Sequence, residues 1–319
     1  MGIACVDWRL ADRGGLAALY AAEISRWSAA LGWDTASSWN HIELGRRLGT
    51  VPGLLAVDAA GAIAGWTCYL LHRDVLQVGS FVATSEAVTT ALLDSMLSSE
   101  TAARALSVTL FAFTDAPGLP AVLTRRGFSV GNYDYLIKPL ADEPGPPPPE
   151  ARRWCDGDAA ATAVLLATAY PEVDEARPFA PRGTAEEWQE YVGQLVGATG
   201  CWTIMPDACC VVPNGPDRIA GVVLVTRLAA AAAHIAQIAV EPAAQRRGLG
   251  RLLLRAACAR ASDAGCDRMT LLVDGRNARA RHLYGESGFF QVARFVSAGG
   301  RQPLRLTSVA AAGGVVMRP

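Results

Sequence analysis

With 319 residues, 51% hydrophobic and 18% charged, the chain has material for about two folded cores and too little charge to be disordered throughout. A formal net charge of -1 gives no electrostatic ground for binding nucleic acid or an anionic membrane, so neither is expected as a partner. Residues 1–7 lack the basic flank and apolar core of a secretory signal, and the most apolar stretch, residues 219–240, is interrupted by Gly221, Arg227, His234 and Gln237. That stretch therefore reads as buried strands and not as a membrane span. The eight cysteines include no Cys-x-x-Cys pair and no histidines at zinc spacing, which points to buried thiols in a reducing cytoplasm and to no bound metal.

Hydrophobic periodicity predicts helix over residues 15–31, then strands at 54–58, 62–71 and 76–83. A helix at 86–97, a strand at 106–113 and a helix at 117–126 follow, and Gly127-Phe128 opens a further strand. Residues 139–150 are so rich in proline, which lacks the donor N–H and fixes its own φ, that they are expected to form neither helix nor sheet. This segment divides the chain into residues 1–140, a linker at 141–150, and residues 151–319. Past it, helical patterns at 158–169 and 184–195 lead to strands at 200–205, 209–213, 219–227 and 234–240. A helix from 251, a strand at 268–273, a helix at 278–287 and strands at 289–297 and 304–309 complete the chain. Both halves end a helix on Gly-Phe before a strand, so the pattern is a tandem repeat of elements with an α/β (α+β) composition.

Gln245-Arg246-Arg247-Gly248-Leu249-Gly250 lies between the strand at 234–240 and the following helix. Glycine permits a tight turn and close approach of backbone N–H groups to a ligand, and the first amides of a helix attract anions. The segment is no dinucleotide fingerprint, because Leu253 stands where a third glycine belongs, and no P-loop, because Gly-Lys-Ser/Thr is absent. The first half has Thr84-Ser85-Glu86-Ala87-Val88 at the same place, with no glycine and an acidic residue, so no phosphate site is expected there.

These residues resemble the GCN5-related N-acetyltransferase (GNAT) superfamily, whose members bind acetyl-CoA through Q/R-x-x-G-x-G/A between the fourth strand and the third helix. Residues 245–250 match that pattern, and Asn277, Ala280, Tyr284 and Gly288-Phe289 match a second family block downstream. The specific resemblance covers residues 219–296; the first half is similar only in layout. It implies two GNAT-like copies, each a mixed, mostly antiparallel sheet flanked by helices, with the fourth and fifth strands splayed in the second copy. A degenerate first copy beside a working second one is similar to the layout of mycothiol synthases, from which His234 departs, since those carry a glutamate there.

The resemblance further implies that Ile238 and Val240 bond the pantetheine arm through main-chain atoms. The backbone amides of Arg247, Gly248, Leu249, Gly250 and Arg251 would bind pyrophosphate, with Gln245 in the motif, Arg246 and Arg247 adding charge and Asn277 touching the cofactor. Acyl transfer from a thioester to an amine needs a deprotonated nucleophile and a protonated leaving thiolate. Tyr284 stands at the place of the family's general acid. His234, at the start of the fourth strand, is the first candidate base on its ordinary pKa of about 6.5, with Asp274 next and Glu241 behind it. Glu172, Asp174, Glu175, Glu186 and Glu187, with Tyr170, Trp188 and Tyr191, fall where the resemblance places the acceptor pocket; each also reads as a solvated face or as packing. The expectation is acetyl transfer from acetyl-CoA to a small-molecule or peptide amine, with the two halves in contact. The alternative is a non-enzymatic acetyl-CoA sensor.

Overall fold

The computed structural model describes residues 2–140, 148–197, 203–216 and 218–301. The first half runs β1 (Ala4–Asp7), α1 (Arg13–Leu31), α2 (Ala36–Arg47), β2 (Gly53–Val57), β3 (Ile63–His72), β4 (Val75–Ala83), α3 (Glu86–Leu97), α4 (Glu100–Ala103), β5 (Ser107–Ala112), α5 (Leu119–Arg125) and β6 (Ser129–Pro139). The second half repeats that order with a short strand, β8, added and no counterpart of α4: β7 (Arg152–Arg153), α6 (Ala159–Ala169), α7 (Ala185–Val196), β8 (Thr203–Ile204), β9 (Cys210–Pro213), β10 (Ile219–Ala229), β11 (Ala232–Val240), α8 (Leu249–Asp263), β12 (Arg268–Asp274), α9 (Ala278–Glu286) and β13 (Phe290–Arg301). Local chemistry sets several boundaries. Asp12 caps α1 by accepting from the Gly15 amide at 2.8 Å, and Gly32 at φ 68° ends it, a left-handed conformation that glycine adopts without a Cβ penalty. Thr184 caps α7 in the same manner. The apolar run of β10 is buried on both faces, which is why it shows no alternation.

All of these strands join one mixed, mostly antiparallel sheet in the order β1-β2-β3-β4-β5-β13-β6-β12-β11-β10-β9-β7, with β8 also on β10. Only β4 with β5 and β11 with β12 run parallel. At the centre the halves exchange strands. β6 of the first half pairs with β12 from Pro139↔Arg268 to Tyr133↔Asp274, while β13 of the second half lies between β5 and β6. Each half thus completes the other's sheet. One core surrounds Trp188, Val222, Val223, Leu253, Met269 and Phe289, and another surrounds Leu76, Phe81, Leu92, Met96 and Leu123. A third, at the junction, mixes Leu31, Trp33, Tyr133 and Tyr135 of the first half with Leu228, Ala232 and Phe295 of the second.

Several expectations need amendment. Pro139 closes β6, so the sheet reaches into the proline-rich segment: a strand's last residue tolerates a missing donor. Residues 141–147 of the expected linker, 200–202 of one expected strand and all of 304–309 lie outside the described residues. Periodicity missed β1, which is too short, and α2, whose apolar residues Trp39 and Ile42 are few. Cys155 is exposed, unlike the buried Cys68, Cys209, Cys210 and Cys266. The apolar stretch at 219–240 forms the β10–β11 hairpin, and no described helix is long and apolar enough to cross a membrane.

Candidate active site

β11 and β12 form a parallel ladder only from Ala232↔Arg268 to Ile235↔Leu271, although both strands continue. At that point the register with β10 slips, Leu224 facing Gln237 and Val225 facing Ile235, so Ala236 is the extra residue of a bulge. Past the bulge, alternate carbonyls of β11 turn away from β10 and need other donors. Side chains supply them: Tyr191 Oη donates to Ala236 O at 3.4 Å, Tyr170 Oη to Ile238 O at 3.1 Å and Gln245 Nε2 to Val240 O at 3.2 Å. A cleft of about 1430 Å³ opens along this edge. It brings together His234, Ile238, Val240, Gln245, Arg246, Gly248, Leu249, Gly250, Arg251, Asp274, Asn277 and Tyr284; of the expected residues, Arg247, exposed beside it, Glu241, and the acids Glu175, Glu186 and Glu187 lie off its lining.

The glycine turn has the form an anion site requires. Gly248 at φ 81° is the N-cap of α8 and offers no capping side chain, so the first-turn amides have no side-chain cap from it. A Cβ at Gly250 would lie 3.1 Å from Leu283, so glycine there lets α8 approach α9 closely. Arg246 takes a left-handed φ of 64°, unusual for a residue with a Cβ. Gln245 Oε1 accepts from Arg279 Nη1 at 2.6 Å, and Arg251 pairs with Glu286 at 2.5 Å, so both stitch the turn to α9. Asn277 caps α9 by accepting from the Ala280 amide at 3.0 Å, which uses its oxygen and leaves its –NH₂ as the group able to reach a ligand. The cradle of backbone amides, the arginines at its mouth and the bulged edge of β11 fit a pyrophosphate attached to an amide-bearing arm.

Tyr284 is the buried residue of α9, packed edge-on against Phe289 at 5.9 Å, and burial raises its pKa above the ordinary phenol value. It therefore remains a proton donor throughout the physiological range. The candidate bases stand differently. His234 is 3% exposed, packed against the Trp33 and Tyr135 rings of the first half, and burial lowers its pKa to about 3. Its Nδ1 lies 2.8 Å from Thr270 Oγ1, whose proton goes to Ala233 O at 3.1 Å, so Nδ1 carries a hydrogen, and burial keeps the imidazole neutral. The expectation of an imidazole titrating near neutrality is thus corrected by its enclosure. Burial raises the pKa of Asp274, but hydrogen bonds from the Arg276 guanidinium, the shortest at 2.6 Å, and from its backbone amide at 2.8 Å outweigh it and hold the carboxyl below its usual range. Glu241 is engaged by Arg218 at 2.6 Å and Asn214 at 3.0 Å.

The expected acceptor acids are largely paired: Asp174 with Arg276, Glu175 with Arg301 and Glu187 with Arg182. Trp188 is fully buried and packs with Tyr170, Phe179 and Tyr191, though it also lines the cleft. Sequence reading missed Arg279, for which its place directly before Ala280 in the first turn of α9 was the available signal. It also missed Phe111 and Tyr133, which the first half contributes to the cleft and which no local pattern announces.

In the first half β4 bulges at Gly79 and pairs with β5 over the same short span, Val75↔Ser107 to Val78↔Leu110. There, unlike at the turn before α8, a side chain caps the helix and a carboxylate stands in its first turn. Ser85 caps α3, Glu86 pairs with Arg125 at 2.7 Å, and Thr114 Oγ1 donates to Phe81 O at 2.7 Å.

Residues 165–289 match the model of the Acetyltransferase (GNAT) family, so the second half carries a GNAT domain. A mycothiol acetyltransferase from Tsukamurella paurometabola is 29% identical over 205 residues, which is 59% of this chain and 66% of the relative. Another, from Beutenbergia cavernae, is 50% identical over 64 residues, 20% of this chain and 22% of the relative. The matched stretches thus span under two thirds of either relative. Among solved structures, a tandem GNAT protein from the clavulanic acid biosynthesis pathway aligns over 94% of this chain and 98% of its own at TM-score 0.56 and 14% identity. A GCN5-related N-acetyltransferase from Sphaerobacter thermophilus aligns over 78% and 80% at TM-score 0.57 and 19% identity. These likenesses concern the fold: the chain shares its two-copy α/β layout with those structures.

Proposed function

We propose that the chain is an acetyltransferase that moves the acetyl group of acetyl-CoA to the primary amine of a small molecule, at the cleft of its second half. The observation that carries the reading is the meeting, in one cleft, of the uncapped α8 N-terminus, the bulged edge of β11 and the neutral phenol of Tyr284. Acetyl-CoA supplies an activated thioester carbonyl. The amides of residues 247–251 and the Arg246, Arg247 and Arg279 guanidiniums hold phosphate charge. The main chain of Ile238 and Val240 lines the path of the pantetheine arm, and Tyr284 Oη gives its proton to the leaving sulfur.

With His234 enclosed and Asp274 and Glu241 ion-paired, we infer that the amine attacks as it arrives, already neutral, that its nitrogen then loses one proton through water in the cleft, which restores the Tyr284 phenol after the thiol leaves, and that His234 shapes the wall of the cleft. The similarity to two mycothiol acetyltransferases makes the amine acceptor of that reaction the first to try. The committed state of the three candidate bases favours a second reading, an acetyl-CoA sensor without turnover. Following thiol release from acetyl-CoA with a panel of amines separates the two: amine-dependent release supports the enzyme, and tight binding without release supports the sensor.

A further inference from the structure

Asp134 is a fully buried carboxylate in β6, the strand that the first half places inside the second half's sheet. A buried charge is costly unless paired, and both cations beside it belong to the other half. Arg294 of β13 donates to Oδ1 at 2.8 Å, and Arg281 of α9 brings Nε to 3.1 Å from Oδ2. The two contacts differ in kind: the first is an aligned hydrogen bond, the second an ion contact without hydrogen-bond alignment. The same strand grips the entry to α9. The Gly275 amide donates to Asn132 O at 2.9 Å, and a side chain at Gly275 would collide with Asn132 Oδ1. Arg281 Nη1 in turn reaches Gly275 O at 3.4 Å. α9 is short and Tyr284 is its one buried side chain, with Ala280 and Leu283 packed half-buried against the core; its polar ties to the α8 turn are the surface contacts of Arg279 with Gln245 and of Glu286 with Arg251.

We propose that Asp134 is a positioning residue for the C-terminal site: through Arg281 the first half holds α9, and with it Tyr284 and Asn277, against the cleft. The proposal rests on the role given above to Tyr284, and it assigns a task to a half that lacks the glycine turn of the cleft.

Arg281→Gln and Arg294→Gln each leave Asp134 one arginine, so neither strands the buried charge, but only the first frees α9. Two readouts apply: hydrogen exchange of the α9 amides in the ligand-free protein, and kcat beside the acetyl-CoA dissociation constant. Arg281→Gln should speed exchange across residues 278–286 and lower kcat about tenfold, since small misplacement of a reacting group is costly. The dissociation constant should move by less than about threefold, because the turn's backbone amides are untouched. Arg281→Lys, which keeps the charge, should recover part of kcat, and Arg294→Gln should match the parent in both readouts. Unchanged α9 exchange in Arg281→Gln, or equal effects of the two glutamine variants, overturns the proposal. If the parent releases no thiol with any amine, the acetyl-transfer reading fails by itself, and the exchange comparison still decides whether Asp134 holds α9.

Discussion

Tyr284 and His234 illustrate how burial decides the chemistry of a titratable side chain. The same loss of water that keeps the phenol protonated keeps the imidazole uncharged. Tyr284→Phe should lower turnover by about 100-fold, the lower range for loss of a general acid, with little change in acetyl-CoA affinity. For His234 the folded pKa of about 3 lies below the ordinary value. The unfolded chain therefore binds the extra proton, and stability falls as pH drops from about 6.5 toward 3, by up to about 1.4 kcal/mol per unit. Thermal melts across that range should show the slope in the parent and a shallower one in His234→Gln; identical slopes would show that the imidazole is solvated. The acid limb of the rate profile should follow the acceptor amine's own pKa when acceptors are exchanged, and His234→Gln should leave that limb in place.

Among the elements, the glycine turn was the most legible in the sequence because its residues are local and each has a backbone reason. Gly248 stands at positive φ, and a Cβ there meets nothing within 4 Å, so the effect of Gly248→Ala is conformational alone. A loss of about 1–2 kcal/mol in denaturant unfolding is expected, together with weaker acetyl-CoA binding. The long strands and helices β3, β4, α3, β10, β11 and α9 were legible for the same reason, as sustained periodicity. What was not legible is relational. The enclosure of His234 comes from Trp33 and Tyr135, far away in sequence, and the engagement of Asp274 comes from Arg276, whose spacing alone does not announce an ion pair. Sequence position made His234 a candidate base; packing removed its reason to titrate.

For the whole molecule, the repeat was visible in the order of elements, but the exchange of β6 and β13 was not, since strand pairing across halves leaves no mark in either half's pattern. It has a direct consequence. Residues 151–319 made alone would lose β6 from the side of β12 and expose an unpaired edge, so they should aggregate or pair with another copy where the full chain does not. A monomeric, stable fragment in size-exclusion chromatography would contradict this. Because Ser85 caps α3 and Glu86 puts a carboxylate in its first turn, where an anion would be repelled, calorimetric titration with acetyl-CoA should give one site per chain. The most direct test of the central claim is the release of free thiol from acetyl-CoA, measured with and without amine acceptors, in the parent and in Tyr284→Phe. The account predicts release that depends on the amine and is strongly reduced in the variant; acetyl-CoA binding with no amine-dependent release, or equal rates in both proteins, would contradict it.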